Sequence, residues 1–166
     1  YSNKERFKVT YIKKAFVRND NMISFAGAQF KDTENSFIRT PFVTGGFIFA
    51  EGSFLKDVPY DPTLDFLFTG EEILHSIRFY THGYDIFVPN ENIIFHAYTR
   101  NGEPKVWSDV KWNSKKSDDL VIKAIYANTN LDANKILGDY GLGNIRNIKA
   151  LKCNVALLNL LINLKN

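Results

Sequence analysis

The residues best suited to chemistry fall between positions 45 and 100. Glu71 and Glu72 follow Gly70 where a helical pattern begins. Two adjacent carboxylates there can hold sugar hydroxyls or steady positive charge on a reacting anomeric carbon. They also suit the positive end of a helix macrodipole, so the pair has a purely structural explanation as well. Gly45-Gly46 lets backbone approach a ligand closely, because no Cβ stands in the way. His75, Arg78 and His82 share a helical face with Glu71. His96 lies in the apolar run Ile93-Ile94-Phe95-His96-Ala97-Tyr98, where a hydrogen-bonded core imidazole is the commoner outcome and a metal ligand the sharper one. Arg100, four residues on, could clamp a phosphate or sit in a surface ion pair.

Other chemistries find little support. The chain has no Gly-x-Ser-x-Gly elbow, no Walker loop and no dinucleotide fingerprint. Gly141-Leu142-Gly143-Asn144-Ile145-Arg146 lacks the third glycine and follows no strand. The histidine spacings do not match a zinc helix, and Cys153 is the lone cysteine. It allows no internal disulfide and is compatible with a reducing compartment, so a cytoplasmic location is the expectation.

Several elements must hold these residues. Val9–Ala15 and Phe25–Phe30 read as strands. Phe42–Ala50 reads as a buried strand reached through the Gly45-Gly46 turn, and Ser53–Asp57 as one helical turn. Val58-Pro59-Tyr60-Asp61-Pro62 is a stiff connection, since its prolines fix φ. Ile73, Leu74 and Ile77 predict a helix over Glu71–His82, closed by Gly83. Asp85–Val88 and Ile93–Tyr98 read as strands. A helix over Ser117–Ala127, capped by Ser117 or Asp118, follows. Gly138–Asn144 reads as loop, and Asn147–Leu164 as an apolar helix that other protein should cover.

The balance of residues is that of a globular α/β lobe. Of 166 residues, 45% are hydrophobic and 14% aromatic, which argues against disorder. A net charge of +3, spread without a basic stripe, gives no nucleic-acid footprint. No apolar run reaches the length of a membrane span. The chain opens at Tyr1 and its only methionine is Met22, so an N-terminally incomplete chain is the expectation.

Taken in order, the motifs become specific. Phe42-Val43-Thr44-Gly45-Gly46-Phe47-Ile48-Phe49 precedes Val58-Pro59-Tyr60-Asp61-Pro62 and Leu67-Phe68-Thr69-Gly70-Glu71-Glu72-Ile73. Ile77-Arg78-Phe79-Tyr80-Thr81-His82-Gly83-Tyr84-Asp85, Pro89, Phe95-His96-Ala97-Tyr98 and Arg100 complete the series. Over residues 40 to 146 this closely resembles the GlcNAc transferases that modify hydroxyproline or Ser/Thr hydroxyls in polypeptides. Tyr140-Gly141-Leu142-Gly143 with Arg146 resembles that family's tail. The order is more distantly similar to polypeptide GalNAc transferases.

The resemblance implies a retaining enzyme with part of a GT-A-type α/β fold, its acceptor-side half of a mixed sheet plus helices. Residues 1–146 would be the C-terminal part of the catalytic domain and 147–166 an appended apolar helix. It implies UDP-GlcNAc as donor, a polypeptide or glycan hydroxyl as acceptor, and Mn²⁺ or another divalent cation on the diphosphate. Glu71 and Glu72 would be catalytic and His96 a metal ligand. Gly45, Gly46, Arg78, Tyr84 and Arg100 would bind substrate. The family's Asp-x-Asp or Asp-x-His motif has no counterpart here, the nearest pattern being Asp32-Thr33-Glu34. That motif is expected upstream, and the chain alone is expected to be inactive. Two other readings compete: a non-catalytic carbohydrate- or protein-binding module on the same fold, and a metal-dependent hydrolase using Glu71, Glu72 and His96.

Overall fold

A computed structural model describes residues 9–29, 37–96, 101–105, 108 and 110–154. It is a mixed α/β structure, as the composition suggests. The strands are β1 (Thr10–Val17), β2 (Ile23–Gln29), β3 (Ile38–Thr40) and β4 (Ile86–Val88). The helices are α1 (Phe54–Asp57), α2 (Glu71–Thr81), α3 (Lys115–Tyr126), α4 (Asn130–Leu137) and α5 (Ile148–Asn154). The sheet content differs from the single mixed sheet expected. Among the described residues there are two separate antiparallel ribbons, β1–β2 and β3–β4.

The β1–β2 hairpin follows from its turn residues. Asn21 donates its N–H to the Arg18 carbonyl at 3.0 Å, and Arg18 donates to the Met22 carbonyl at 2.8 Å. Asn21 takes φ 66°, a conformation asparagine tolerates better than most residues. The Asp20 carboxylate accepts from the Met22 N–H at 3.1 Å and completes the turn. Above it, the pairing runs from Val17–Ile23 to Thr10–Gln29, with an irregularity between Ile12 and Lys14.

Helix α2 is the spine. Its apolar residues Ile73, Leu74 and Ile77 lie in one core with Met22 and Ile23 of the hairpin, Val121, Ala124 and Ile125 of α3, and Leu137 of α4. Ile148 and Leu151 of α5 join the same core. Burying each of the Ile, Leu, Val and Met side chains contributes about 1.5–3 kcal/mol relative to exposure. Phe79 turns the other way, into a smaller cluster with Val43 and Val58. One helix thus ties the hairpin and the C-terminal helices to the loop carrying Gly45-Gly46.

The start of α2 depends on a glycine. Gly70 takes φ +108°, and a Cβ there would lie 2.5 Å from the Met22 sulfur and 3.3 Å from Val121. The left-handed dihedral costs a side-chain-bearing residue about 1–2 kcal/mol. Overpacking adds about 1–3 kcal/mol. Gly70→Ala is therefore expected to lower stability by several kcal/mol, read as an earlier urea midpoint. A loss of only about 1–2 kcal/mol would mean that the thioether moves aside freely, and an unchanged midpoint would contradict the backbone argument as well.

The far end of α2 is clasped by the loop after α4. The Thr81 hydroxyl accepts from the Gly143 N–H at 3.0 Å. The Thr81 carbonyl accepts from Ile145 at 3.0 Å and Arg146 at 3.1 Å. Any Cβ on Gly143 would lie within 2.7 Å of the Thr81 and His82 backbone. Close approach of two backbones accounts for this glycine.

Two strand expectations fail. Residues 42–50 form no strand, and of the stretch Gly45–Ala50 only Ile48 is even partly covered. Phe49 is 91% exposed. Phe42 and Val43 alone are buried, because the loop is held by α2 side chains rather than by a neighbouring strand. Residues 93–96 are likewise irregular and exposed, while β4 stops at Val88 and pairs with β3. Ala97, Tyr98 and Arg100 lie outside the described residues. Helix α3 begins two residues earlier than expected, with Ser114 at its N-cap. Ser117, predicted as a cap, is buried and donates to the Asp65 carbonyl at 2.8 Å. Of the apolar helix expected over Asn147–Leu164, the segment Ile148–Asn154 is described and helical.

Candidate active site

The Gly45-Gly46 turn and the first turn of α2 are joined directly. The Gly45 N–H donates to Glu72 Oε1 at 2.8 Å. One helical turn on, the Ser76 hydroxyl accepts from the Val43 N–H at 2.8 Å and donates to the Glu72 carbonyl at 2.6 Å. Two side chains of α2 therefore substitute for the strand partner that this loop lacks. Neither glycine has positive φ. A Cβ on Gly46 would meet nothing within 4 Å, and one on Gly45 would make only ordinary contact with Glu72. Among the described residues, no packing requires glycine at either position.

Glu71 sits beside this bridge and is half-buried. Burial, and then the neighbouring Glu72 charge, raise its pKa above the usual carboxylate value. Tyr60, on the stiff proline connection, has its hydroxyl pKa raised by burial and by Glu71. The two carboxylates thus have different surroundings. Glu72 is tied to backbone, whereas Glu71 adjoins a tyrosine and holds its proton more readily than an ordinary carboxylate.

His75 and Arg78, one and two turns further along α2, are not presented to solvent. His75 is 6% exposed, and neither ring nitrogen has a hydrogen-bond partner among the described residues. Its ring meets Tyr60 edge-on at 4.3 Å between centroids. Burial, and then Arg78, lower its pKa to about 4, so the ring is neutral near pH 7. Arg78 is 1% exposed. Its guanidinium donates to the Pro59 carbonyl at 2.6 Å and the Gly141 carbonyl at 3.3 Å. It joins the proline connection to the loop after α4, and its donors face backbone instead of an open surface.

The His75 shift has a definite sign. An unfolded histidine titrates near pH 6.5. Between that value and the folded value of about 4 the unfolded state binds the extra proton, so stability falls as pH falls. The loss should reach about 2 kcal/mol at pH 5 relative to pH 7. Urea unfolding at the two pH values checks this. Subtracting the same measurement on His75→Phe cancels the other groups, Glu71 included. An equal acid response in the two proteins would show that His75 finds a proton acceptor when charged.

Tyr84 lies past the end of α2. Its hydroxyl donates to Asp57 at 2.6 Å and its carbonyl accepts from Arg146 at 3.0 Å. The Asp57 bond, then burial, raise its pKa. Asp85 pairs with Arg39 and, at 2.8 Å, with Arg146. The Arg146 guanidinium also lies over the Tyr80 ring. His96 is exposed on an irregular segment, not held on a strand.

Glu71, Glu72, Gly45 and Gly46 thus form one constellation, while Arg78 and Tyr84 brace its frame. The family model described as Glycosyltransferase (GlcNAc) matches residues 2–127, well over half of the chain. The chain belongs to this GlcNAc glycosyltransferase family. No curated protein and no solved structure matches it. The match covers the α2 constellation and the hairpin before it, and it stops short of the Thr81-clasping loop. A glycosyltransferase acts on a sugar donor and an acceptor, and a carboxylate pair beside an unfilled glycine turn suits polyhydroxyl ligands. Among the described residues of this glycosyltransferase, no helix is long and apolar enough to cross a membrane.

The sequence alone did not single out Tyr60 or Ser76. The Tyr60-Asp61-Pro62 run marks a stiff connection, but only the fold brings its ring against His75. Ser76 could have been found from its place one helical turn after Glu72, on the same face.

Proposed function

We propose that this glycosyltransferase transfers GlcNAc from UDP-GlcNAc to a hydroxyl on a polypeptide or glycan, with retention at the anomeric carbon, on a GT-A-type fold. Family membership supports the transferase chemistry, and the Glu72–Gly45 bridge is the observation that carries the choice of site. In this reading Glu72 fixes the glycine turn against α2, and the room above Gly46 admits the donor sugar. Glu71 faces the reacting groups. Ionised, it steadies positive charge at the anomeric carbon; protonated, it donates to a sugar hydroxyl. The enzyme is proposed to act in the cytoplasm.

A divalent cation such as Mn²⁺ belongs to the proposed donor complex. Among the described residues no three His, Cys, Asp or Glu side chains gather to hold one. These residues do not make up its ligand set, and no step is assigned to it. His96 would supply one ligand, with the others drawn from outside the described residues, as Arg100 would be for the diphosphate.

The experiment is a donor assay on this chain together with whatever further sequence its reading frame carries. UDP release from UDP-GlcNAc, followed with and without Mn²⁺, is expected to depend on the metal and to exceed release from UDP-glucose. The 166-residue chain assayed alone is expected to show no turnover. Absence of UDP release from every nucleotide sugar offered would favour a binding module on the same fold.

A further inference from the structure

We propose that a cleft between the β1–β2 turn and the start of α3 is a saccharide subsite that takes one or two pyranose rings of a neutral glycan. Its volume is about 630 Å³. That lies within the usual range of small-molecule sites, about 300–1,000 Å³. Phe68 and Trp112 line it together with Arg18, Asp20, Asp118 and Asp119.

The aromatic side is held in place. Phe68 is 64% exposed although it belongs to the cleft wall. Among the described residues, Trp112 meets the rings of Phe66 at 5.4 Å and Phe68 at 6.5 Å between centroids. Phe66 adopts φ 55°, a left-handed conformation that a bulky residue rarely takes. Strained backbone of this kind gathers at ligand sites, and here it sets the ring that fixes Trp112. A pyranose offers an apolar C–H face to such rings.

The polar side is also set in advance. Arg18 donates to the Thr69 hydroxyl at 3.2 Å and pairs with Asp20 at 3.0 Å. The Ser114 hydroxyl donates to Asp118 at 2.7 Å. Asp20 and Asp118, each hydrogen-bonded, and the Arg18 guanidinium suit the paired hydroxyls of a sugar ring, which both donate and accept. Lys115 adds a second cation to the lining, so two positive groups face three carboxylates. That near-balance disfavours polyanions and favours a neutral ligand.

Position links the cleft to the carboxylates. Thr69 in its wall comes two residues before Glu71, and Gly70 packs against Met22, another lining residue. A bound glycan would lie beside the start of α2, where an acceptor must come. Assigning it to the acceptor rests on the transfer reading, but sugar binding as such does not.

The test is an NMR titration of the ¹⁵N-labelled full chain with N,N′-diacetylchitobiose, with maltose and, separately, with a Ser/Thr-rich peptide. Trp112→Phe assigns the Trp112 indole N–H. At least one disaccharide is expected to shift that signal saturably, with a low-millimolar dissociation constant. Asp119→Ala, at an exposed site, should keep the spectrum of the fold and weaken binding roughly tenfold. The proposal is overturned by no saturable shift with either disaccharide, by unchanged affinity in Asp119→Ala, or by binding of the peptide alone. Sugar binding by this chain, with no UDP release in the donor assay proposed above, would uphold the subsite and remove the transfer reading. Turnover without sugar binding would do the reverse.

Discussion

Glu71→Gln in the active enzyme is expected to melt almost normally and to lose on the order of a hundredfold or more in kcat. The amide keeps the shape of the side chain and gives up its charge. At a helix start, the lost dipole interaction is about 0.3–1 kcal/mol. A chain of this size loses about 2–4 °C in Tm per kcal/mol, so the thermal change should be small. A carboxylate that steadies developing charge should cost about 2.7–4 kcal/mol, if it resembles a lost oxyanion-hole contact. Glu72→Gln separates the two acids. Its amide oxygen can still accept from the Gly45 N–H, so the bridge survives while the charge that helps raise Glu71 disappears. Near-normal turnover in both variants would leave the acids as helix-start residues only. If Glu71 must be ionised, the acid limb of the kcat profile should lie above the usual carboxylate range in wild type, because burial and Glu72 raise its pKa. In Glu72→Gln that limb should move down.

Arg78→Ala should fail differently, by unfolding the protein rather than by weakening substrate binding. The side chain is almost wholly buried and satisfies the carbonyls of Pro59 and Gly141, two loops far apart in sequence. Each acceptor left unsatisfied costs about 1–3 kcal/mol. With the lost packing of the aliphatic stem, the total should be about 3–5 kcal/mol. The corresponding fall in Tm is on the order of 10 °C. Arg78→Lys keeps the charge but cannot span both carbonyls with a planar fork, so it should recover part of the loss. A side chain that served the substrate would behave otherwise: Tm would hold and the KM for donor would rise. Thermal melts of the three proteins beside donor KM values distinguish the outcomes.

Much of the scaffold was legible in the sequence because its determinants are local. The segments Val9–Ala15 and Phe25–Phe30 read as strands and overlap the two hairpin strands, whereas the Asn21 turn that joins them came only with the structure. Ile73, Leu74 and Ile77, between Gly70 and Gly83, delimited α2 to within a residue of its observed end. Helix α4 was missed although its signal was present: Thr129 accepts from the Asp132 N–H and caps it, three residues apart. Its eight residues carry too short an apolar pattern to stand out.

The ordered motifs from Phe42 to Arg100 pointed to the family before any geometry was known, because family resemblance depends on residue types in sequence order. Tertiary structure alone decided what those residues touch. Phe42–Ala50 and Ile93–His96 look like strands by composition, yet a strand exists only where another supplies its ladder bonds. Here α2 took the Val43 and Gly45 amides instead. Arg78 and His75 look like exposed members of a polar helix face, and they are buried because Pro59, Tyr60 and Gly141 close over them. The Trp112 cleft gathers Arg18, Phe68 and Asp118 from three distant segments. Periodicity extends over a few residues, whereas burial and side-chain partnership depend on chain segments up to a hundred residues apart, so folding alone could settle them.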